Sequence, residues 1–491
     1  MEKKIYFKNS FYSVVNYALL IILSLLVRKV LILNFPIEYA GYEALFSDIF
    51  TLLSIADMGM ESIISYNLYE QIAKDKSNIG EIMKLARKLY YMIAIMVLVL
   101  GGIICAFLPL MFSKEKYDFT LILVIYIIQL VNLSISYMTG YKRLLLIADQ
   151  KEYICLKWDS KILVCVQIGR IIVLGIFKNY FIYVGLCIVQ TLIQNIGIGY
   201  KCNKEYKGLC SSENKVVNFT YNIKNDIGNF LCHRISSVIY SATDNVVITA
   251  ILGLGTTGLY SNYYMVAKYT YSFATKIMKP MQASIGNYLY SERDNKEKIA
   301  LLTKLNKVAF VFATFICNSL IQLSTPFIIL WLGDEYIQGE SLIVLLSLNV
   351  FIAINQDFIY YFRNAYGKYE FDKKYMMMSS VINLALSILL SKIWGLSGIV
   401  FATIVGHLFI WYGRVKFVYQ EIFKIGIKEY WYSQIKKVGL LGLQLITTGF
   451  LTQNCGSDIK GCIIREFFVI LISVINGGLV YLDDRLKKET V

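Results

Sequence analysis

Several ionised side chains stand inside stretches that are otherwise apolar. In 226–252, Arg234, Ser237, Ser241 and Asp244 with Asn245 recur at steps of three and four, which is one face of a helix. In 256–280, Tyr260, Tyr264, Lys268, Tyr271 and Thr275 do the same, and Asn16, Ser24 and Arg28 repeat the pattern in 11–33. Arg170 adds a further cation in 154–177. An ionised group at bilayer depth costs about 2.5–3.5 kcal/mol on insertion scales, so such groups face a wet cavity or one another. Arg28, Arg234 and Lys268 are the candidate cavity cations. Arginine grips phosphate or carboxylate oxygens with a forked set of donors, and lysine supplies a point charge. Asp244 and Asp57 are candidates for ion coupling or charge balance, and Asp244 has the plainer alternative of pairing with Arg234 or Lys268. Tyr264 and Tyr271 either offer ring faces for stacking on sugars or fill a core.

The elements that must carry these groups are membrane helices. Hydrophobic residues make up 57% of the 491 positions, only four are proline, and the mean hydropathy is +0.55. A helical span needs about 20 residues to cross the hydrocarbon core. Fourteen spans are expected, at 11–33, 41–65, 90–112, 118–140, 154–177, 180–200, 226–252, 256–280, 305–332, 341–362, 375–394, 396–413, 437–453 and 462–482. Nothing alternates like a barrel strand, and a spanning segment must satisfy its own backbone hydrogen bonds, so all are helices. The segment 41–65 is the weakest, being interrupted by Asp48, Asp57 and Glu61. Alternate loops carry the lysines and arginines. The opposite set holds only Lys114, Lys116, Lys178, Lys392 and Lys460. By the positive-inside rule both termini are cytoplasmic and the number of spans is even. A basic inner face against anionic lipid accounts for the net charge of +15 without any nucleic acid.

Function classes drop out on the same evidence. The first apolar run is long and lacks a small-residue cleavage site, which makes it an anchor. The ten cysteines are scattered, many within spans, with no metal-like or redox spacing, and His233 and His407 are the two histidines. No glycine-rich phosphate loop and no Ser-His-Asp set occurs, and no loop between spans has room for a soluble domain. No catalytic residue, metal or cofactor is expected, and the protein is read as not an enzyme. Work done by such a chain draws on a gradient or on the chemical potential of what it moves.

The chain also repeats itself. EYAGYEALFSDIFTLLS (38–54) and GTTGLYSNYYMVAKYTYS (255–272) each run turn, glycine, aromatic-polar helix, with Gly41 and Gly258 in register at an offset of 217. The offset separates spans one to six from seven to twelve and leaves two trailing helices. The expected domains are 1–200, a basic linker 201–225, a second bundle 226–418, and 419–491 with the trailing pair. Parallel repeats of this kind place a substrate site between the halves.

TDNVVITAILGLGTTGLYSNYYMV (243–266), MQASIGNYLYSE (281–292) and PFIILWLGDEY (326–336) resemble the bacterial polysaccharide transporters, the O-antigen and capsule flippases. GYEALFSDIFTLLSIADMGMESIISYNLYEQIAKDK (41–76) and LIADQKEYI (146–154) do so too, and the blocks run in order along nearly the whole chain. The superfamily also holds multidrug and toxin extrusion proteins and lipid II flippases. The resemblance implies two six-helix lobes in a V with two trailing helices, in a bacterial cytoplasmic membrane. It implies as cargo a polyprenyl-pyrophosphate-linked oligosaccharide turned from the inner to the outer leaflet. Membrane lipids, a polysaccharide polymerase and a chain-length regulator are the implied partners. The alternatives are a lipid II-type flippase or a cation-coupled drug exporter on the same fold. A membrane-embedded glycosyl polymerase fits less well, because the outward loops are short.

Overall fold

The computed structural model describes residues 2–57, 59–73, 78–111, 118–206, 235–240, 242–290, 294–366 and 370–489. Every regular element among them is helical. The chain divides into two compact units, Met1–Gly258 and Leu259–Val491.

The first unit holds α1 (Glu2–Asn34), α2 (Glu38–Leu53), α3 (Met60–Ala73), α4 (Ile79–Met111) and α5 (Phe119–Gly140). It continues with α6 (Arg143–Ala148), α7 (Glu152–Ile172), α8 (Tyr180–Glu205), α9 (Asp244–Leu252) and the start of α10 (Leu254–Met278). The helix ends follow local chemistry. Pro36 disfavours helical geometry in the residue before it, so α1 stops at Asn34. Asp118 caps α5 by accepting from the Thr120 amide at 2.9 Å, and Asn179 caps α8 by accepting from Ile182 at 3.1 Å. The expected span 41–65 is a broken helix. α2 stops at Leu53, a single tight turn covers Ser54–Asp57, and Gly59 (φ 74°) re-aims the chain into α3. α1 packs along α7, α5 lies between α4 and α8, and α9 packs on α2. Leu31, Leu45, Phe46 and Tyr126 are wholly buried in this core.

The second unit holds the rest of α10, then α11 (Met281–Leu289), α12 (Asn295–Trp331), α13 (Glu340–Asn355) and α14 (Asp357–Ala365). It ends with α15 (Glu370–Lys416), α16 (Lys428–Thr452) and α17 (Ile459–Glu489). α15 is two antiparallel spans. Gly395 turns it back at φ 57°, a conformation open to glycine, and Ser379 Oγ then donates to the Gly406 carbonyl across the hairpin at 2.9 Å. The trailing helices are tied in by a polar ladder. Thr448 donates to Asn318 at 2.9 Å and Thr452 to Gln322 at 2.7 Å, joining α16 to α12. The Gln444 amide donates to Ser473 at 2.7 Å, joining α16 to α17.

Among the described residues nine helical segments are long and apolar enough to cross a bilayer, one of which is the folded pair 373–422. The protein is an all-α, multi-pass membrane protein. The expected span 41–65 is broken into helices too short for that test, 256–280 and 437–453 are not apolar enough for it, and most of the first part of 226–252 lies outside the described residues. These spans contain Asp48, Lys268 and Gln444; Asp48 accepts from the Asn245 side chain and Gln444 is buried against α17, whereas Lys268 is exposed.

Candidate functional site

A cavity of about 310 Å³ lies within the first unit, its apolar wall interrupted by polar side chains. Its polar lining comes from Gln129, Asn132 and Ser136 on α5, Glu43 on α2, Arg170 on α7 and Tyr183 on α8. The three α5 residues follow the i, i+3, i+7 rhythm of one helix face, so a strongly apolar helix presents one wet stripe.

Charge on this cavity is organised around Glu43. Arg28 on α1 pairs with it, Nη2 to Oε2, at 3.3 Å, and the Tyr183 hydroxyl donates to the other carboxylate oxygen. Arg28 is 8% exposed, whereas Glu43 is partly exposed and lines the cavity. The Arg170 guanidinium lies 5.5 Å from the centre of the Tyr183 ring and donates to Gln167 at 3.4 Å. Tyr180, one turn before Tyr183, donates to the Tyr39 carbonyl at 3.3 Å and fixes the start of α8 against α2. Among the described residues, three buried polar atoms of this group have no hydrogen-bond partner: Arg28 Nη1, Arg170 Nε and Asn132 Oδ1. Native proteins seldom leave such groups bare, because each costs about 1–3 kcal/mol and more when charged. Two arginines against one glutamate leave the cluster with a surplus positive charge and donor capacity to match.

The expected site residues are distributed as follows. Arg28, Asp57 and Asp244 belong to the first unit, and Tyr264, Lys268 and Tyr271 to the second. Arg234 lies outside the described residues. Arg28 adjoins the cavity through Glu43. Asp57 accepts from the Gly59 amide at 2.9 Å and so closes the turn that breaks the second span. Asp244 is the first residue of α9 and half-buried. Next to it, the Asn245 side chain donates to Asp48 at 2.9 Å, which ties α9 to α2. Lys268 is exposed, its ammonium 5.9 Å from the Tyr264 ring, and Tyr264 stacks on Tyr260 at 5.6 Å. Tyr271 turns its hydroxyl to Asp357 at 3.5 Å, inside the second unit. Sequence reasoning does not single out Glu43, Gln129, Asn132 or Tyr183. The polar stripe on α5 carries a readable signal; Glu43, one acid among several in 38–54, carries none.

At the far end of the same unit a polar clip joins α1, the 149–151 turn after α6 and the end of α8. Lys151 pairs with Asp149 at 2.8 Å and with Glu205 at 2.7 Å, and Tyr206 donates to Asp149 at 2.6 Å. Asn9 donates to the Gln150 carbonyl at 2.7 Å and accepts from the Tyr153 amide at 2.8 Å. Burial pulls the Lys151 ammonium down, but its hydrogen bonds with Asp149 and Glu205 outweigh this and hold it above the ordinary lysine value. Burial, then the Asp149 hydrogen bond, push the Tyr206 phenol well up.

Fold and site together define an all-α, multi-pass membrane protein with a pocket inside its first helical unit that Arg170 and Glu43 line and Arg28 adjoins. Residues 7–281, more than half of the chain, match the polysaccharide biosynthesis protein family, and the chain belongs to that family. The fold is shared with solved transporters. A lipid II flippase, MurJ, in an inward closed conformation superposes with a TM-score of 0.71 at 15% identity, over 97% of this chain and 99% of that one. An inward-facing multidrug resistance MATE family transporter of the MOP superfamily gives 0.59 at 14% identity, over 81% and 94%. A MOP superfamily transporter from Pyrococcus furiosus, described as having a binding pocket of reverse polarity, gives 0.57 at 12% identity, over 84% and 95%. No curated protein matches the chain by sequence.

Proposed function

We propose that the protein is a flippase that turns a polyprenyl-pyrophosphate-linked oligosaccharide from the cytoplasmic to the outer leaflet for surface polysaccharide synthesis, by alternating access. The observation that supports this reading is the cavity lined by Arg170 and by Glu43, with which Arg28 is paired; Arg170 Nε and Arg28 Nη1 have no hydrogen-bond partner among the described residues. A pyrophosphate cannot enter hydrocarbon bare, since stripping an isolated ion costs tens of kcal/mol by Born estimates. A wet pocket with forked donors replaces its hydration shell while the lipid tail stays among the acyl chains. Glu43 occupies one edge of Arg28 and leaves the other for the cargo. Amide and hydroxyl groups from Gln129, Asn132 and Ser136 suit sugar hydroxyls. Membership of a polysaccharide biosynthesis family supports an oligosaccharide as the group carried.

The chain then works as two six-helix lobes, 1–200 and 226–418, joined by the basic linker 201–225, with 419–491 supplying the trailing pair. Both termini are cytoplasmic, in a bacterial cytoplasmic membrane. Arg234 and Lys268 add cationic character from the second lobe, Tyr264 and Tyr271 are sugar-stacking candidates, and Asp244 and Asp57 serve coupling or charge balance. A polymerase and a chain-length regulator act on the delivered unit.

Likeness to a lipid II flippase keeps a second reading in view, with lipid II itself as cargo. It differs in the head group carried on the polyprenyl pyrophosphate. A drug exporter taking cationic compounds is disfavoured by the surplus positive charge. Transfer of fluorescent lipid-linked oligosaccharide across reconstituted vesicles tests the reading, with lipid II as the parallel cargo. Alanine in place of Arg28, Arg170, Arg234 and Lys268, singly and together, abolishes transfer if the reading is right. Full transfer by the combined variant refutes it.

A further inference from the structure

Three lysines gather around one tryptophan where α7 and α8 pack together in the first unit, and none of the four lines the cavity. The Trp158 ring of α7 is seated on the backbone of α8. A Cβ on Gly197 would collide with its Nε1, and that nitrogen donates to the Ile193 carbonyl at 3.2 Å. Lys201, one turn after Gly197, holds its ammonium 4.1 Å from the centre of the ring. Lys157 and Lys161 are four residues apart on α7, one before and three after Trp158, and both are exposed. Their charges lie near enough to act on that of Lys201. Asp159 also acts on Lys201, but hydrogen bonds from Arg143 at 2.5 and 3.1 Å engage both of its carboxylate oxygens. Among the described residues no carboxylate forms an ion pair with Lys157, Lys161 or Lys201.

The surface beside this patch is apolar and uncovered. Ile193, Ile196 and Tyr200 on α8 are 42%, 62% and 70% exposed. Ile193 shares a face with Gly197 and Lys201, and Ile196 and Tyr200 form the adjoining strip. In a multi-pass membrane protein such a surface meets acyl chains, and tryptophan settles at the level of the headgroups. Lysine stems run along apolar surface and carry their ammonium ends to that same level. Three positive charges at the rim of a lipid-facing strip match an anion with hydrocarbon attached; a free phosphate would use the charges and leave the strip bare. We propose that Lys157, Lys161, Lys201 and Trp158 form a binding site for a single anionic phospholipid. Its phosphate lies among the three ammonium groups, and an acyl chain runs from there along Ile196 and Ile193. The tryptophan face holds Lys201 in place beforehand, so less side-chain freedom is lost when the lipid binds. These are the basic ends of the two spans, which the topology proposed above assigns to the inner leaflet. The site does not depend on the cargo.

The test uses the full-length protein in nanodiscs of phosphatidylcholine, with or without phosphatidylglycerol, read by native mass spectrometry and thermal unfolding. The wild type is expected to retain one phosphatidylglycerol with a preference of about tenfold or more over phosphatidylcholine, and to melt higher in its presence. Lys157→Gln with Lys161→Gln removes both effects, and because the two side chains are exposed the variant melts like the wild type in pure phosphatidylcholine. Lys201→Gln alone lowers the preference about fivefold. The control is Lys428→Gln with Lys436→Gln, an exposed pair on α16 whose Lys436 lies 4.7 Å from the Tyr432 ring, and it leaves both effects intact. A wild type without the preference, an undiminished preference in the α7 pair, or equal loss in the control pair overturns the proposal. Protection by inorganic phosphate in detergent that matches the lipid effect reassigns the site to a free anion and overturns the lipid assignment.

Discussion

Gly41 and Gly258 stand in reciprocal contact within the first unit. A Cβ on Gly41 would collide with the Leu254 carbonyl oxygen, and a Cβ on Gly258 would collide with that of Ile37. Each glycine follows by four residues the carbonyl that the other touches, so the pairs 37/41 and 254/258 exchange under the 217-residue offset. The sequence repeat therefore coincides with a physical one, two helix starts packed backbone against backbone.

Alanine at either glycine must push a helix start away from a fixed carbonyl. Overpacking costs about 1–3 kcal/mol, against about 1 kcal/mol gained in helix propensity. Gly41→Ala and Gly258→Ala are each expected to lower the unfolding midpoint in detergent. Gly102 is the control. It is exposed on α4, and a Cβ added there would meet nothing within 4 Å, so Gly102→Ala raises the midpoint. Equal behaviour of all three variants would contradict the reciprocal contact.

Removing Arg28 strands the Glu43 carboxylate with only the Tyr183 hydroxyl. Breaking a fully buried pair from one side costs about 3–5 kcal/mol, and Glu43 is partly exposed, so Arg28→Ala is expected to lose less stability than that, and transport with it. Arg28→Met with Glu43→Gln removes both charges together and recovers most of the stability but not the transport. Arg170 has no carboxylate partner among the described residues, and Arg170→Gln is expected to cut transport with little change in unfolding. Parallel measurement of vesicle transfer and thermal unfolding separates these outcomes, and a double variant with full transport would show that Arg28 only holds helices together.

The ladder between α12, α16 and α17 predicts modest, graded losses. Interhelical hydrogen bonds in membranes average about 0.6 kcal/mol. Thr448→Val and Thr452→Val are expected to cost about that much each. Gln444→Leu costs more, since it breaks the bond to Ser473 and also strips the acceptor of the Asn476 amide at 2.7 Å. Unfolding of the three single variants under denaturant gives the order directly, and a Gln444→Leu loss no larger than the threonine variants would be inconsistent with the ladder.

The Lys151 clip carries a pH dependence of definite sign. A lysine held above its ordinary value adds stability that is present in full below that value and lost as pH rises through the folded one. Hydrogen-exchange protection of the 149–151 turn is expected to stay level through neutral pH and to fall only above the ordinary lysine value of about 10.4. Lys151→Met removes this alkaline step, and a protection loss already complete near neutrality would assign the step to another group.

Much of the architecture is legible along the chain alone. Apolar length and the obligation to satisfy backbone hydrogen bonds dictate helices, and charge alternation in the loops makes their expected number even. That Arg28 needs polar surroundings is legible, because a guanidinium in an apolar run demands them, whatever they are. Its partner is not. Glu43 shares its stretch with Glu38 and Asp48, and local periodicity ranks none of them. The choice falls to the packing of α1, α2 and α8, which brings Arg28 to Glu43 and brings Tyr183 to the same carboxylate from 140 residues further along the chain. The same holds for Lys157, Lys161 and Lys201, ordinary lysines at span ends until the packing of α7 on α8 gathers them around Trp158. A pattern along one helix tells which face is polar; which other faces it meets depends on contacts distant in sequence, and those are decided by shape and packing.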